Sequence, residues 1–278
     1  DKRRVVEKNH VKVDRLSDIV GSFRAVLFCP EHLSLIKDGP GERRNYLDVA
    51  ISQLYPIYLK SLQRYNQILK QRNQLLRDAE KDRSTLDATA ELWSLQLAHE
   101  AAVIARYRKD YIDKASRVVE KCFHEMTDER ETPTMTYLGS SKQEPDAYAD
   151  VEETEKVYQK LLTEHLEREI AAGSTLWGIH KDDIEIAVNG RPARMFASQG
   201  QQRSLALAMK LAEGEVSASV FGENPVFLLD DVFSELDTAR RNYLSGKIRD
   251  RQVIITTCEP SGIAGGKLIR VENGTYNE

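Results

Sequence analysis

The sequence predicts an α/β fold with a large inserted helical lobe, and three stretches carry that prediction. Val226-Phe227-Leu228-Leu229-Asp230-Asp231 reads as a buried strand delivering two adjacent carboxylates at its C-terminal end. Ala197-Ser198-Gln199-Gly200-Gln201-Gln202-Arg203 reads as a glycine-containing turn, and Leu205-Ala206-Leu207-Ala208-Met209 continues it as an apolar helix. Between residues 43 and 126, apolar side chains recur at three-and-four spacing, the mark of amphipathic helices.

In chain order, residues 4–13 alternate around Lys8-Asn9-His10 and predict a short hairpin. Arg24-Ala25-Val26-Leu27-Phe28 predicts a buried strand. Pro30 then opens a helical turn, as proline does at a first helical position, and Gly39-Pro40-Gly41 ends it. Two long helices follow over residues 43–82 and 86–126, the first interrupted at Pro56. Tyr58, Leu62, Tyr65, Leu69 and Leu76 form one stripe, with Arg72 in its seam. Leu97, Ala101, Ile104, Tyr111, Ala115, Val118 and Cys122 form the other, with Arg108 in its seam. Matched stripes on consecutive helices imply an antiparallel pair, long enough to form an arm.

Residues 127–150 are polar, contain Pro133 and Pro145, and are expected to be a flexible crossing with one short strand at 134–138. Residues 151–172 predict a glutamate-rich amphipathic helix. Short strands are expected next, at 175–179 and at 184–188, the latter turning at Asn189-Gly190. After the glycine-containing turn and the acidic strand come a helix from Thr238 and a strand at 253–257. A final strand lies between turns at Gly265-Gly266 and Asn273-Gly274. The expected division is a head lobe of residues 1–23 and 173–278 and a helical arm lobe of 24–172, with the polar crossing near 127–150.

The chemistry concentrates at the head. Asp230 and Asp231 end an apolar strand, where a bare carboxylate is costly unless it is paired or holds a metal. Asp230 suits a hydrated Mg²⁺, and Asp231 suits polarising an attacking water; the plainer reading is two aspartates capping a strand-to-helix loop. Ser198, Gln199, Gly200 and Gln201 place a hydroxyl, amides and bare backbone N–H groups at a helix start, which suits a phosphate. Here the plainer reading makes Ser198 an ordinary N-cap. Ser234-Glu235-Leu236-Asp237 follows the acidic pair, and Asp237 is placed to cap the next helix. No phosphate loop accompanies them. Gly246-Lys247 and Gly266-Lys267 are followed by Ile248 and Leu268, not by the Ser or Thr of G-x-x-x-x-G-K-[ST]. With its start at Asp1, the chain is read as a piece of a longer protein.

Lys60, Arg64, Lys70 and Arg77 fall away from the apolar stripe with no acid among residues 60–77, an arrangement able to track a phosphate backbone or serve as a solvated face. Composition narrows the remaining classes. The 278 residues are 41% hydrophobic and 30% charged, with net charge −4, which argues against a uniformly basic coat. No run approaches the roughly 18 apolar residues of a membrane span, and three scattered cysteines without C-x-x-C read as reduced and cytosolic. The six histidines show no zinc spacing.

The acidic strand and the signature turn together resemble the second half of an ABC-type ATPase head of the Rad50 and SMC kind. The wider set of motifs is similar to the RecF family. Phe28-Cys29-Pro30-Glu31-His32-Leu33, with Gly41-Glu42-Arg43-Arg44-Asn45-Tyr46-Leu47-Asp48, resembles the family's S-P-E-D-L and E-R-R-x-x-L-D stretch. Tyr65-Asn66-Gln67-Ile68-Leu69-Lys70-Gln71-Arg72-Asn73 resembles its Y-x-x-x-L-K-Q-R-N. Gly178-Ile179-His180-Lys181-Asp182-Asp183 resembles its G-P-H-R-D-D, with Ile179 in place of proline and Lys181 in place of arginine.

This resemblance implies an ATP-dependent homodimer on double-stranded DNA near gap junctions, helping RecA replace single-strand-binding protein together with RecO and RecR. It implies a weak ATPase in the complete protein, using ATP and Mg²⁺. Asp230 and Asp231 would serve the chain's own nucleotide. Ser198, Gln199, Gly200 and Gln201 would meet the partner's γ-phosphate in trans. Ser234 and Asp237 would form the D-loop, and Thr257 would occupy the switch position. Without a phosphate loop this chain alone is expected to be inactive. The rival from another class is a helical module that binds DNA or protein independently of nucleotide.

Overall fold

The computed structural model describes residues 5–127, 130–258, 266–272 and 275–277. The expected hairpin forms as β1 (Glu7–Lys8) and β2 (Val11–Lys12), paired antiparallel. Next come β3 (Ala25–Phe28), the short α1 (Ser34–Lys37), α2 (Pro40–Leu54) and α3 (Pro56–Asp78). Pro56 opens α3, because a proline lacks the N–H that a helix interior needs but that a first turn leaves unpaired. The longest helix, α4 (Arg83–Thr127), follows, then β4 (Pro133–Leu138), α5 (Val151–Glu164) and α6 (Leu166–Ala172).

The C-terminal part holds β5 (Asp183–Val188), β6 (Arg191–Pro192), α7 (Ala193–Phe196), α8 (Gln199–Phe221) and β7 (Val226–Asp230). It ends with α9 (Thr238–Ile248), β8 (Val253–Thr256) and the antiparallel pair β9 (Arg270–Glu272) and β10 (Thr275–Asn277). The turns expected at Gly265 and at Asn273-Gly274 lie outside the described residues.

Two three-stranded sheets carry the head. One is parallel, in the order β3-β7-β8; the other is antiparallel, in the order β4-β5-β6. Both join chain segments from the two sides of the expected division. β3 pairs with β7 through Ala25↔Val226 to Phe28↔Leu229, and β4 pairs with β5 through Pro133↔Val188 to Leu138↔Asp183. Boundaries drawn at 23/24 and 172/173 therefore cut both sheets. The cause is plain: strand backbone groups need a neighbouring strand, and sequence proximity does not choose which.

The polar segment before α5 is likewise packed and not a free crossing. Met135, Tyr137 and Tyr148 are buried, and a helical turn over Pro145–Ala149 follows the strand. The strand expected at 175–179 does not form, because side chains take its donors. Asn73 Oδ1 accepts from the Thr175 amide at 2.7 Å, and Glu169 Oε1 accepts from the Leu176 amide at 2.7 Å.

Buried tyrosines and arginines hold the helical lobe to the head. Tyr58, Tyr65, Tyr111, Tyr137, Tyr148 and Tyr158 are all nearly inaccessible. Such rings contribute large apolar area, and the hydroxyls then need partners. Tyr46 and Tyr111 share a bond of 3.0 Å, Tyr148 meets Ser141 Oγ at 2.8 Å, and Tyr58 and Tyr137 donate to Asp48 and Asp182. Arg108, in the seam of α4, donates to Asp48 at 2.8 Å and to the Ile179 carbonyl at 2.8 Å, with Asp182 3.4 Å away.

Asp183 accepts a forked pair of bonds from Arg43, at 2.6 and 2.9 Å. His180 accepts from Tyr65 at Nδ1 (2.6 Å) and donates from Nε2 to the Thr175 carbonyl (3.1 Å), a pattern that selects the neutral ring. Burial accordingly lowers its pKa from 6.5 to about 4. The preceding Gly178 is required twice over. Its φ is +135°, and a Cβ there would stand 2.1 Å from the Tyr65 hydroxyl.

Candidate nucleotide-facing site

Asp230 ends β7 opposite Thr256 of β8. The Thr256 hydroxyl donates to the Asp230 carboxylate, while the Thr256 carbonyl and hydroxyl accept from the Asp231 amide at 3.0 and 3.2 Å. Asp231 then leaves the strand at φ +49° and ψ 26°, a left-handed conformation that aspartate tolerates better than most residues. This turn buries its Oδ1, which has no hydrogen-bond partner among the described residues. An orphaned buried carboxylate oxygen is costly, and an incoming water or ion relieves it.

Among the described residues no three His, Cys, Asp or Glu side chains converge into a metal site. The acidic pair therefore fits an ion that takes its remaining ligands from water and phosphate, as Mg²⁺ commonly does, and does not fit a closed protein cage.

Helix α8 opens at the glycine-containing turn expected from the sequence. Its first turn carries the reciprocal cap that Ser198 and Gln201 permit. The Gln201 amide donates to Ser198 Oγ at 3.2 Å, and the Ser198 amide donates to Gln201 Oε1 at 2.6 Å. The plainer role of Ser198 is thus realised, while its side chain stays exposed. Gln199 is exposed, and Gly200 and Gln201 are half-buried. Residues 204–214 of α8 are buried, so this first turn stands on a rigid base. Gly214 makes that packing possible: a Cβ there would lie 2.3 Å from the Phe227 ring.

Between β7 and α9, Ser234 Oγ donates to the Asp231 carbonyl at 2.7 Å, and Asp237 caps α9 by accepting from the Arg240 amide at 2.9 Å. That bond, with the Arg240 charge, lowers the Asp237 pKa. Two arginines outside the sequence expectations then join the signature turn to this loop. Arg240 pairs with Asp237 and donates to the Gly200 carbonyl at 3.1 Å and Ser204 Oγ at 2.8 Å; Arg203 meets Glu235 at 3.1 Å. Arg203 follows the signature and Arg240 opens α9, but no local pattern pairs either with its acceptor. Thr257, half-buried, lies one residue beyond β8, and it is Thr256 that binds the aspartates.

Lys60, Arg64, Lys70 and Arg77 all emerge exposed on α3, far along the chain from the acidic pair. Arg64 lies 3.5 Å from Glu100 of α4, and Arg77 donates to Gln74 at 2.8 Å. Arg72, within the same stretch, is buried and belongs to the lobe's interior.

No family model matches the chain. It is 38% identical over 281 residues to the DNA replication and repair protein RecF of Staphylococcus carnosus, covering 98% of this chain and 75% of that one. It is 37% identical over 281 residues to RecF of Acetivibrio thermocellus, covering 99% and 75%. A solved structure of the recombination mediator protein RecF with ATP, in the RecFOR pathway, superimposes with a TM-score of 0.89 at 33% identity, covering 98% of this chain and 72% of that chain. Its counterpart with the analogue ATPrS gives 0.90 at the same identity and coverage. The architecture is the mixed α/β fold with a large helical lobe that these RecF structures share. Sequence identity spread over nearly the whole chain, together with that superposition, establishes that this chain belongs to the RecF family.

Proposed function

We propose that this chain works as part of a RecF-type DNA-repair protein, an ATP-dependent homodimer on double-stranded DNA near gap junctions. In the cytoplasm, acting with RecO and RecR, it would help RecA replace single-strand-binding protein after DNA damage. The observation that carries the reading is the acidic pair at the end of β7, with the buried Asp231 Oδ1 left without a partner among the described residues, in a chain whose solved relative holds ATP.

In this reading Asp230 helps hold Mg²⁺, which when bound neutralises phosphate charge. Asp231 Oδ1 accepts a hydrogen bond from the attacking water and orients it. Thr256 fixes both aspartates by its hydroxyl and carbonyl. The first-turn amides of α8, with Ser198, Gln199, Gly200 and Gln201, meet the γ-phosphate of the partner's nucleotide. Ser234 and Asp237 shape the loop between the two. Phosphoryl transfer depends on such positioning and charge, so a chain without the phosphate loop binds ATP poorly and hydrolyses essentially none.

ATP turnover and ATP-dependent sedimentation of the full-length protein test this. Asp230→Ala is expected to abolish turnover. Full activity in that variant would place the chemistry elsewhere. A second reading, a nucleotide-independent interaction module, draws on the groove between α3 and α4, about 600 Å³, lined by Arg64, Ile68, Trp93, Leu95 and His99. ATP-independent partner binding by this chain alone would favour it.

A further inference from the structure

We propose that Arg240 is a positioning residue that makes the signature turn and the 234–237 loop one surface, so that a phosphate met by the first turn of α8 is felt at Asp231. This rests on the trans-nucleotide reading above. The side chain is only 19% exposed, and its guanidinium spreads its donors over three acceptors on two elements. One is the Asp237 carboxylate in the loop; the others are the Gly200 carbonyl and the Ser204 hydroxyl in α8. Ser204 is fully buried, so Arg240 Nε reaches into the helix's rigid base. From Asp237 the path returns through the loop to Ser234, whose hydroxyl holds the Asp231 carbonyl.

A cation beside the first turn of a helix opposes the helix dipole, a cost that Asp237 and the two acceptors in α8 offset. Asp237 balances the charge at rest, and a phosphate at the α8 amides would draw on the same guanidinium. The glycine of the signature fits as well. A Cβ at Gly200 would lie 3.3 Å from Arg240 Nη2, so the fork would have to give by a few tenths of an ångström. The parallel contact between Arg203 and Glu235, with side chains 38% and 39% exposed, is the weaker link.

The test compares the full-length wild type with Arg240→Ala, Arg240→Lys and Arg203→Ala. It reads monomer affinity for a fluorescent ATP analogue, ATP-dependent dimerisation by sedimentation, and melting temperature. Monomer affinity is expected to stay near the wild-type value in all three. Dimerisation should weaken by about tenfold or more in Arg240→Ala, the scale of one missing charge-assisted bond, and much less in Arg203→Ala.

Arg240→Lys keeps the stem and the charge but not the fork, so it should melt near wild type and still dimerise poorly. Should Arg240→Ala not fold, the lysine variant decides. A merely structural role predicts that lysine restores dimerisation along with stability, which would overturn the proposal, as would unaltered dimerisation in Arg240→Ala. If the wild type itself fails to dimerise with ATP, the trans-nucleotide reading falls and the role of Arg240 with it. If only the variants match wild type, the Arg240 inference alone is lost.

Discussion

Arg72 of α3 and Glu169 of α6 form an ion pair 2.5 Å long with side chains 2% and 0% exposed. Neither charge is left short of partners. Arg72 also donates to Thr175 Oγ1 at 2.9 Å, and Glu169 accepts from the Leu176 amide at 2.7 Å. A buried pair of this kind repays its desolvation only while both members and their further hydrogen bonds remain. It ties the arm helix to the segment leading into Gly178-Ile179-His180.

Removing one member should therefore be severe. Glu169→Ala leaves a buried guanidinium without its counter-ion and is expected to cost about 3–5 kcal/mol of unfolding free energy. The double variant Arg72→Met with Glu169→Leu should recover much of that loss. Urea denaturation of the three proteins measures both, and a loss under about 1 kcal/mol in Glu169→Ala would mean that water reaches the site.

Acid should loosen the lobe through its neutral histidines. Burial, first, and nearby positive charge hold His180 and His32 at about 4 in the folded protein, against 6.5 when unfolded. The unfolded chain thus binds more protons between these values. Their contribution is complete above pH 6.5 and is lost as pH falls toward 4, by at most about 3 kcal/mol for the more deeply buried His180 and by less for His32, which solvent partly screens. Denaturation midpoints at pH 7, 5.5 and 4.5 should fall in that order. His180→Asn should make the fall shallower; an unchanged profile would locate the titration elsewhere.

Ser198 separates two outcomes. As an N-cap alone, Ser198→Ala should cost about 1 kcal/mol of stability and leave assembly unchanged. In the full-length protein, the trans-nucleotide reading expects Ser198→Arg to bind ATP nearly as the wild type does, yet not to dimerise or hydrolyse it. Sedimentation with and without ATP decides, and an ATP-dependent dimer in Ser198→Arg would end the trans assignment.

The exposed strip on α3 has its own measurement. Lys60→Glu, Arg64→Glu and Lys70→Glu together should weaken duplex binding and flatten its salt dependence. Every phosphate that is no longer neutralised should lower the log–log slope by about 0.9. Binding curves from low to high salt report it directly. A slope equal to wild type would leave the strip as a solvated face, Arg64 already having Glu100 nearby.

Local pattern determined a good deal here. The apolar run ending at Asp230, the capped start of α8 at Ser198, the start of α9 and the helix break at Pro56 were legible because each depends on neighbours within a turn or a strand. The seam positions of Arg72 and Arg108 were legible too, since helical spacing shows which side chains point inward.

Periodicity does not say what an inward side chain meets. Only the tertiary structure paired β3 with β7 about two hundred residues away, packed Tyr137 and Tyr148 into a segment that reads as polar, and denied residues 175–179 a strand by giving their amides to Asn73 and Glu169. It also brought Arg240 to Gly200. The physical reason is common to all of these. Backbone and charged groups must be satisfied when buried, but their partners are selected by chain closure over long separations, which no local spacing records.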